Sequence, residues 1–330
     1  MLRDLHAVAS TGSAVTLKDR LFVVSLNVIS RMVLGKKYDV AGSSSAATPE
    51  EFSWMIDELF FISAAVNIGD VIPWLNWLDP QGYVGRMKRL SKVLDEHNER
   101  RRREGEAFVP KTWWTSFCSL PTTQTSRYCN KRAIRGGYRH LGSNRGVGHV
   151  RALRNPQVLV KATEELDRVI GRDRLVTEGD IQSLPYLEAI VKETMRLHPV
   201  SPLLMPRQSR LDTSVGGYDI PAGTRVLVNV WAIGREPEVW ETPMEFRPER
   251  FLGSSLDVRG RDFELLPFGS GRRMCPGLNL GMKMVQLSLS NLLHAFAWRR
   301  PNGVSVEDVS MEEKNGLSVT RRLASPRGRR

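Results

Sequence analysis

Phe268-Gly269-Ser270-Gly271-Arg272-Arg273-Met274-Cys275-Pro276-Gly277 sets one cysteine after a glycine-rich bend and just before a helical pattern. From Pro276 to about Phe296 the apolar residues Leu278, Met282, Val285, Leu287 and Leu292 recur at helical spacing, and Pro276 suits a first-turn position. Cys275 is therefore expected where unpaired backbone N–H groups and the positive end of a helix dipole converge. Such an environment favours a thiolate over a thiol. Gly269 and Gly271 let the backbone approach a flat ligand, and Arg273 can pair with a carboxylate carried by that ligand. A lone buried cysteine more often behaves as a small hydrophobe, so the reading depends on what accompanies it.

The spacing Phe-x-x-Gly-x-Arg-x-Cys-x-Gly resembles the haem-binding loop of the cytochrome P450 family. It matches at every fixed position, Phe268, Gly271, Arg273, Cys275 and Gly277, with Gly269 between them. By that resemblance the thiolate of Cys275 is the axial ligand of the haem iron. Lys192-Glu193-Thr194-Met195-Arg196-Leu197-His198-Pro199 closes a periodic stretch that begins near Pro185. Glu193 and Arg196 are three apart and share a helix face. Alone, such a pair is a common surface decoration of little worth. Together with Phe246-Arg247-Pro248-Glu249-Arg250-Phe251 it resembles the family's K-helix Glu-x-x-Arg and Pro-Glu-Arg-Phe segments. The resemblance implies a buried Glu193–Arg196–Arg250 network that locks the region beneath the haem, a structural role in which removing one partner strands a buried charge. It also implies that Arg207 and Arg273 contact the haem propionates. Val200, Pro202, Leu203 and Leu204, with the late loop around Asn315, Gly316 and Leu317, would border a pocket for a lipophilic substrate.

Pro206 to Ser209 and Val215 to Thr224 carry alternating, β-branched residues punctuated by Gly and Pro, a pattern of short strands and turns. The first half is mostly helical in pattern. Leu21 to Leu34 is a buried-helix candidate, a Gly/Ser/Ala loop follows near Gly42–Ala47, and Glu50 to Val66 is again apolar-periodic. Asp70 to Pro80 holds Trp74 and Trp77 around Pro73, readable as a core corner or as an interfacial patch. Its likeness to the F–G region of plant microsomal members implies a peripheral membrane contact.

At 330 residues with 41% hydrophobic residues the chain can bury a substantial core. No apolar run reaches the length of a membrane span, and no signal peptide opens the chain. Three cysteines make no disulfide scaffold and suit a reducing, cytosol-facing location. The net charge of +12, with Arg100–Arg103 and an Arg-rich end, raises the alternative of a basic nucleic-acid-binding protein, although no nucleic-acid motif accompanies it. A basic surface equally suits an acidic reductase domain or anionic lipid.

Thr112 to Arg154 stands apart in composition. It holds Arg127, Lys131, Arg132, Arg135, Arg139, Arg145, Arg151 and Arg154, no Asp or Glu, and two of the three cysteines, Cys118 and Cys129. Without those eight charges the net would fall from +12 to +4. A long basic loop would be unusual inside a compact domain. The genetic code supplies another account. Shifted forward by one nucleotide, the degenerate codons for Gly136 to Leu153 permit GGTDTSAVTVEWAMSEL, which resembles the oxygen-activating I-helix of plant P450 proteins. In the other shifted frame Thr112 to Tyr128 permits MVDVLLQLADDPNLEV, similar to the family segment upstream. The stretch therefore reads as out-of-frame sequence, without the I-helix acid and threonine that relay protons in the family.

The expectation is a mainly α fold with small β-sheets, a single partial P450 domain over residues 1–330. It is family-like at 1–111 and 155–330, incomplete at the N-terminus and in the I-helix, and without a transmembrane anchor. An intact relative binds haem b and takes electrons from NADPH through a cytochrome P450 reductase. It inserts one oxygen atom of O2 into a lipophilic small molecule at the cytosolic face of the endoplasmic reticulum. Lacking the anchor, this chain would be soluble or peripheral. Stretches such as LNVISRMVLGKKY and FELLPFGSGRRMCPGLNLG look most like the plant group of flavonoid 3′-hydroxylase-like enzymes and homoterpene-forming oxidases. The rival readings are an inactive truncated product and the basic binding protein.

Overall fold

The structure, a computed structural model, describes residues 1–9, 17, 20, 21, 23–25, 27, 28, 58, 79–92, 147–298, 311–314 and 319–321. The chain divides into two compact units, one of Met1 with 16–142 and one of 2–15 with 143–330. In the first unit, the described residues of the expected 21–34 helix are helical, as is Glu58 within 50–66. The loop near 42–47, the two tryptophans at 74 and 77 and residues 112–146 lie outside the described residues, as do Asn315 to Leu317 in the second unit. The helical run 83–92 opens on Asp79, whose carboxylate accepts the N–H groups of Val84 and Gly85 at 3.0 and 2.8 Å, as a helix start requires.

The second unit holds the motifs. Helix α1 (Leu2–Ala9) buries Leu5. Helix α2 (Pro156–Ile170) starts on a proline, whose missing N–H costs nothing in a first turn, and turns Val158, Ala162, Leu166 and Ile170 inward. Gly171, at φ +75, ends it. A 3-10 turn at Glu178–Ser183 leads into α3 (Pro185–Leu197). Every residue of α3 except Pro185 and Glu188 is buried, so this helix is the centre of the unit. Leu184 offers no side-chain cap to its first turn. The buried Glu165 of α2 does so from a distance, accepting the N–H groups of Tyr186 and Leu187 at 2.8 and 2.9 Å. A long-range carboxylate thus does the work of a local cap and pins α2 to α3.

Strands β1 (Arg207–Gln208) and β4 (Arg225–Val226) pair antiparallel, with Arg207 opposite Val226, around the hairpin of β2 (Thr213–Val215) and β3 (Tyr218–Ile220). Gly216 and Gly217 at the hairpin turn have φ of +59 and +84, the geometry a two-residue turn demands. Strands β1 and β3 lie within the segments Pro206 to Ser209 and Val215 to Thr224, expected to form short strands. Strand β2 begins two residues before the second segment, and β4 follows directly after it. Helix α4 (Val230–Ile233) follows, with Asn229 accepting the Ala232 N–H as its cap. Helix α5 (Leu278–Ala295) buries Leu278, Val285, Leu289, Leu292 and Leu293 and packs on α2 and α3. Each such side chain contributes about 1.5–3 kcal/mol on burial. Strands β5 (Glu313–Lys314) and β6 (Thr320–Arg321) close the unit as a third antiparallel pair.

Two differences from the sequence reading have local causes. Pro276 stands outside α5, because Cys275 to Gly277 form a turn in which the Leu278 N–H reaches the Cys275 carbonyl, leaving Gly277 as the N-cap. Residues 147–154, within the stretch without periodicity, form a buried helix. Its small residues permit the approach: a Cβ on Gly148 would stand 3.4 Å from Leu289 of α5 and 3.5 Å from the Thr194 hydroxyl of α3.

Candidate functional site

Cys275 lies between the 3-10 turn Gly271–Arg273 and α5. Its N–H donates to the Phe268 carbonyl at 2.9 Å, closing the loop on itself. Gly269 and Gly271 have φ of +72 and +66, the left-handed region that a glycine enters without strain. The loop is supported from behind by Gly260. A Cβ there would stand 2.6 Å from the Gly269 carbonyl oxygen and 3.0 Å from the Ser270 Cα, so only glycine lets the two backbones touch. The Ser270 hydroxyl completes the contact by donating to the Gly260 carbonyl at 2.5 Å. On the other side the Leu204 side chain lies 3.6 Å from where a Gly269 Cβ would be. Leu204 itself has φ +51, an unusual conformation for a leucine, held at the start of the Leu204–Met205 segment beside the loop.

The thiol does not rest as the sequence suggests. Burial pushes the Cys275 thiol above its ordinary value, and the Gly277 N–H, its one nearby donor, lowers it only in part. The expectation of a thiolate favoured by a helix start is corrected on this point. Helix α5 begins three residues beyond the sulfur, and among the described residues no cation pairs with it.

Arg207 and Arg273 carry no ionic or hydrogen-bonding side-chain partner among the described residues. Arg207 is half-buried on β1, and Arg273 is exposed within the loop. The loop therefore offers a free thiol, glycine-flattened backbone and an unpaired cation within eight residues of sequence, with Arg207 coming from a separate strand.

Glu193, Arg196 and Arg250 form the opposite kind of place. The Arg196 guanidinium donates to both Glu193 oxygens, at 2.7 and 2.8 Å. It donates onward to the carbonyls of Gly234, Pro243 and Glu245 at 2.5, 2.7 and 3.1 Å. Glu193 also accepts Arg250 Nε at 3.2 Å and the Arg247 N–H at 2.8 Å. Arg250 reaches the Glu241 carbonyl at 2.8 Å. The indole of Trp240 lies beneath both guanidinium groups, 5.1 Å from Arg196 and 5.9 Å from Arg250. The Glu193 and Arg196 side chains are fully buried.

Sequence reasoning missed Gly260 and Gly234, and it named Leu204 only as a border of the substrate pocket, not as a neighbour of the Gly269 backbone. A Gly234 Cβ would stand 2.6 Å from the Arg196 carbonyl oxygen, so that glycine both accepts from Arg196 and lets the chain pass. Gly234 and Leu204 meet partners far away in sequence, and Gly260 meets Gly269 across an irregular stretch, so no local pattern signals them.

A model of the cytochrome P450 family matches residues 151–325. The chain belongs to that family. The dimethylnonatriene synthase of Zea mays is 43% identical over 352 residues, a match covering 98% of this chain and 66% of that protein. The trimethyltridecatetraene synthase of the same plant is 44% identical, with 98% and 64% covered. The flavonoid 3'-monooxygenase of Petunia hybrida is 41% identical, with 96% and 66% covered. This P450 chain thus spans about two thirds of the length of these relatives. A solved zebra fish cytochrome P450 with progesterone shares the fold at a TM-score of 0.75 and 27% identity, covering 94% of this chain and 71% of that one. The mainly helical body with small antiparallel sheets is the P450 fold.

Haem b is the prosthetic group of this family, and the site fits it. The sulfur is free, the flanking glycines remove side chains where a flat macrocycle would lie, and the two arginines have carboxylate-binding capacity to spare. No helix among the described residues is long and apolar enough to cross a membrane.

Proposed function

We propose that this P450 is a haem-thiolate monooxygenase that inserts one oxygen atom from O2 into a lipophilic plant metabolite of the phenylpropanoid, flavonoid or terpenoid class. Electrons come from NADPH through a cytochrome P450 reductase, and the site of action is the cytosolic face of the endoplasmic reticulum. The observation that carries this reading is the Cys275 loop, a free thiol presented by glycine backbone beside Arg273, which has no side-chain partner among the described residues. The Zea mays and Petunia relatives support the substrate classes through the reactions their names record.

Each residue has a stated part. Cys275 would supply the sulfur that holds the iron, giving up its thiol proton to do so. Arg207 and Arg273 would hold the two propionates through charge-assisted hydrogen bonds. Phe268 fixes the loop through its carbonyl, while Gly269, Gly271 and Gly277 keep Cβ atoms out of the way; a Cβ on Gly277 would lie 3.7 Å from the sulfur. The Glu193–Arg196–Arg250 network ties α3 to the chain at Gly234, Pro243, Glu245 and Arg247 and has a structural part. When bound, the haem supplies the oxygen chemistry, with the thiolate donating electron density.

The test combines the purified chain, haem, a plant reductase, NADPH and isotopically labelled O2 with panels of flavonoids and linear terpenoids. One labelled oxygen atom in the product supports the reading. Haem binding without oxygen transfer would favour the second reading, a chain that keeps its haem loop but lacks oxygen activation. The composition of residues 112–154 favours that alternative, and sequencing the transcript across those codons decides whether an in-frame GGTDTS replaces it.

A further inference from the structure

Three segments of the second unit meet at His198, just past the end of α3. From the helix 147–154, Arg151 donates through Nε to His198 Nε2 at 2.9 Å, and its Nη2 lies 2.6 Å from the same nitrogen. From β5, Glu313 Oε1 lies 2.6 Å from His198 Nδ1. A guanidinium can only donate. Nε2 must therefore accept, the ring proton sits on Nδ1, and Nδ1–H donates to the carboxylate. The imidazole is buried, and the Arg151 guanidinium lies over the Phe246 ring at 5.6 Å. Close by, the Val319 N–H donates to the Val200 carbonyl at 2.7 Å, so the β5–β6 hairpin is fastened to the chain after α3 at two points.

We propose that His198 is a positioning residue, a neutral Nδ1–H imidazole that clamps helix 147–154 and the β5–β6 hairpin to the end of α3 and releases Arg151 when it takes a second proton. Once Nε2 carries a hydrogen it can no longer accept, and the Arg151 contact becomes a repulsion between two cations. The Glu313 contact survives as an ion pair. The charged groups facing the ring are Arg151 from helix 147–154, Glu313 from β5 and Arg235 from the turn after α4. Arg235 also donates to the Leu197 carbonyl. Arg154 and Glu193 act on Arg151 in opposite directions. Burial dominates and holds the ring below its ordinary value, with Glu313 opposing and the two arginines assisting. Arg151 is itself pulled down to about 10, mainly by burial. The clamp does not rest on the monooxygenase reading.

The test is a long-range nitrogen–proton spectrum of the full chain labelled at histidine, kept in the diamagnetic ferrous carbonyl state wherever haem is bound. His198 is assigned by the resonance that His198→Asn removes. At pH 7.5 the proton is expected on Nδ1 with Nε2 bare, and the titration midpoint is expected below 6.5. Arg151→Met should raise that midpoint and Glu313→Gln should lower it, shifts of opposite sign that simple loosening of the fold does not produce. Cys275→Ala should leave the titration in place, so failure of the haem reading leaves this result untouched. A proton on Nε2 in the unmodified chain, or a midpoint indifferent to Arg151→Met, overturns the clamp.

Discussion

The Glu193–Arg196–Arg250 network and the Cys275 loop are built to opposite plans within one unit. In the network the buried donors and acceptors converge on one another, with Glu193 accepting from two guanidinium groups and one backbone N–H. In the loop the thiol has only the Gly277 N–H beside it, and the Arg273 side chain is left without a partner among the described residues. Each depends on a glycine of close approach, Gly234 in the first and Gly260 in the second. Saturation makes a place permanent, because nothing outside can improve on its bonds and every loss strands a charge. Unsaturation makes a place receptive, since its bonding capacity awaits a ligand.

The sharpest way to break the contrast is to empty the network. Glu193→Ala leaves two desolvated guanidinium groups facing one another and is expected to cost about 3–5 kcal/mol, read as a lowered urea midpoint of the haem-free chain. Gly260→Ala comes next. Its φ of +74 and the Gly269 carbonyl at 2.6 Å from the new Cβ should cost about 1–3 kcal/mol in backbone strain, and the loop must move as well. Haem affinity, measured by titration, should fall along with stability in that variant. Cys275→Ala should be the mildest for the haem-free fold, within about 1 kcal/mol by the same urea curve. A large loss there would mean that the loop, too, is structural.

Acidity separates the two places further. The folded pKa of Cys275 is raised, so iron binding releases a proton, and haem uptake followed by absorbance should strengthen as pH rises towards that value. His198 works through stability. Its folded pKa is lowered below 6.5, so its contribution is present above that pH and is lost as pH falls through the folded value. Thermal melts between pH 8 and 5 should show that loss, and His198→Asn should remove this component of it.

Much of the fold was legible because its signals are local. Helices α3 and α5 were readable as apolar periodicity, α3 from Pro185 onward, and the hairpins as β-branched residues broken by Gly216, Gly217 and Gly223. The helix 147–154 was not legible, since Gly148, His149 and Arg151 form no apolar stripe; packing on α3 and α5 decides it. The loop and the pairing of Glu193 with Arg196 were readable for the same reason, each lying within ten residues of sequence. Gly234 against Arg196, Glu165 at the start of α3 and Glu313 on His198 were hidden, because their partners come from distant segments. The thiolate expectation failed on burial, which no spacing reveals.

The central claim is that Cys275 is the iron ligand of this chain. The most direct measurement is the carbon monoxide difference spectrum of the reduced, haem-loaded protein beside Cys275→Ala. A Soret band at the thiolate-haem position in the unmodified chain, lost in Cys275→Ala while the urea midpoint holds, is the predicted result. A band that survives the substitution, or one that never appears in a folded, haem-loaded chain, would contradict it.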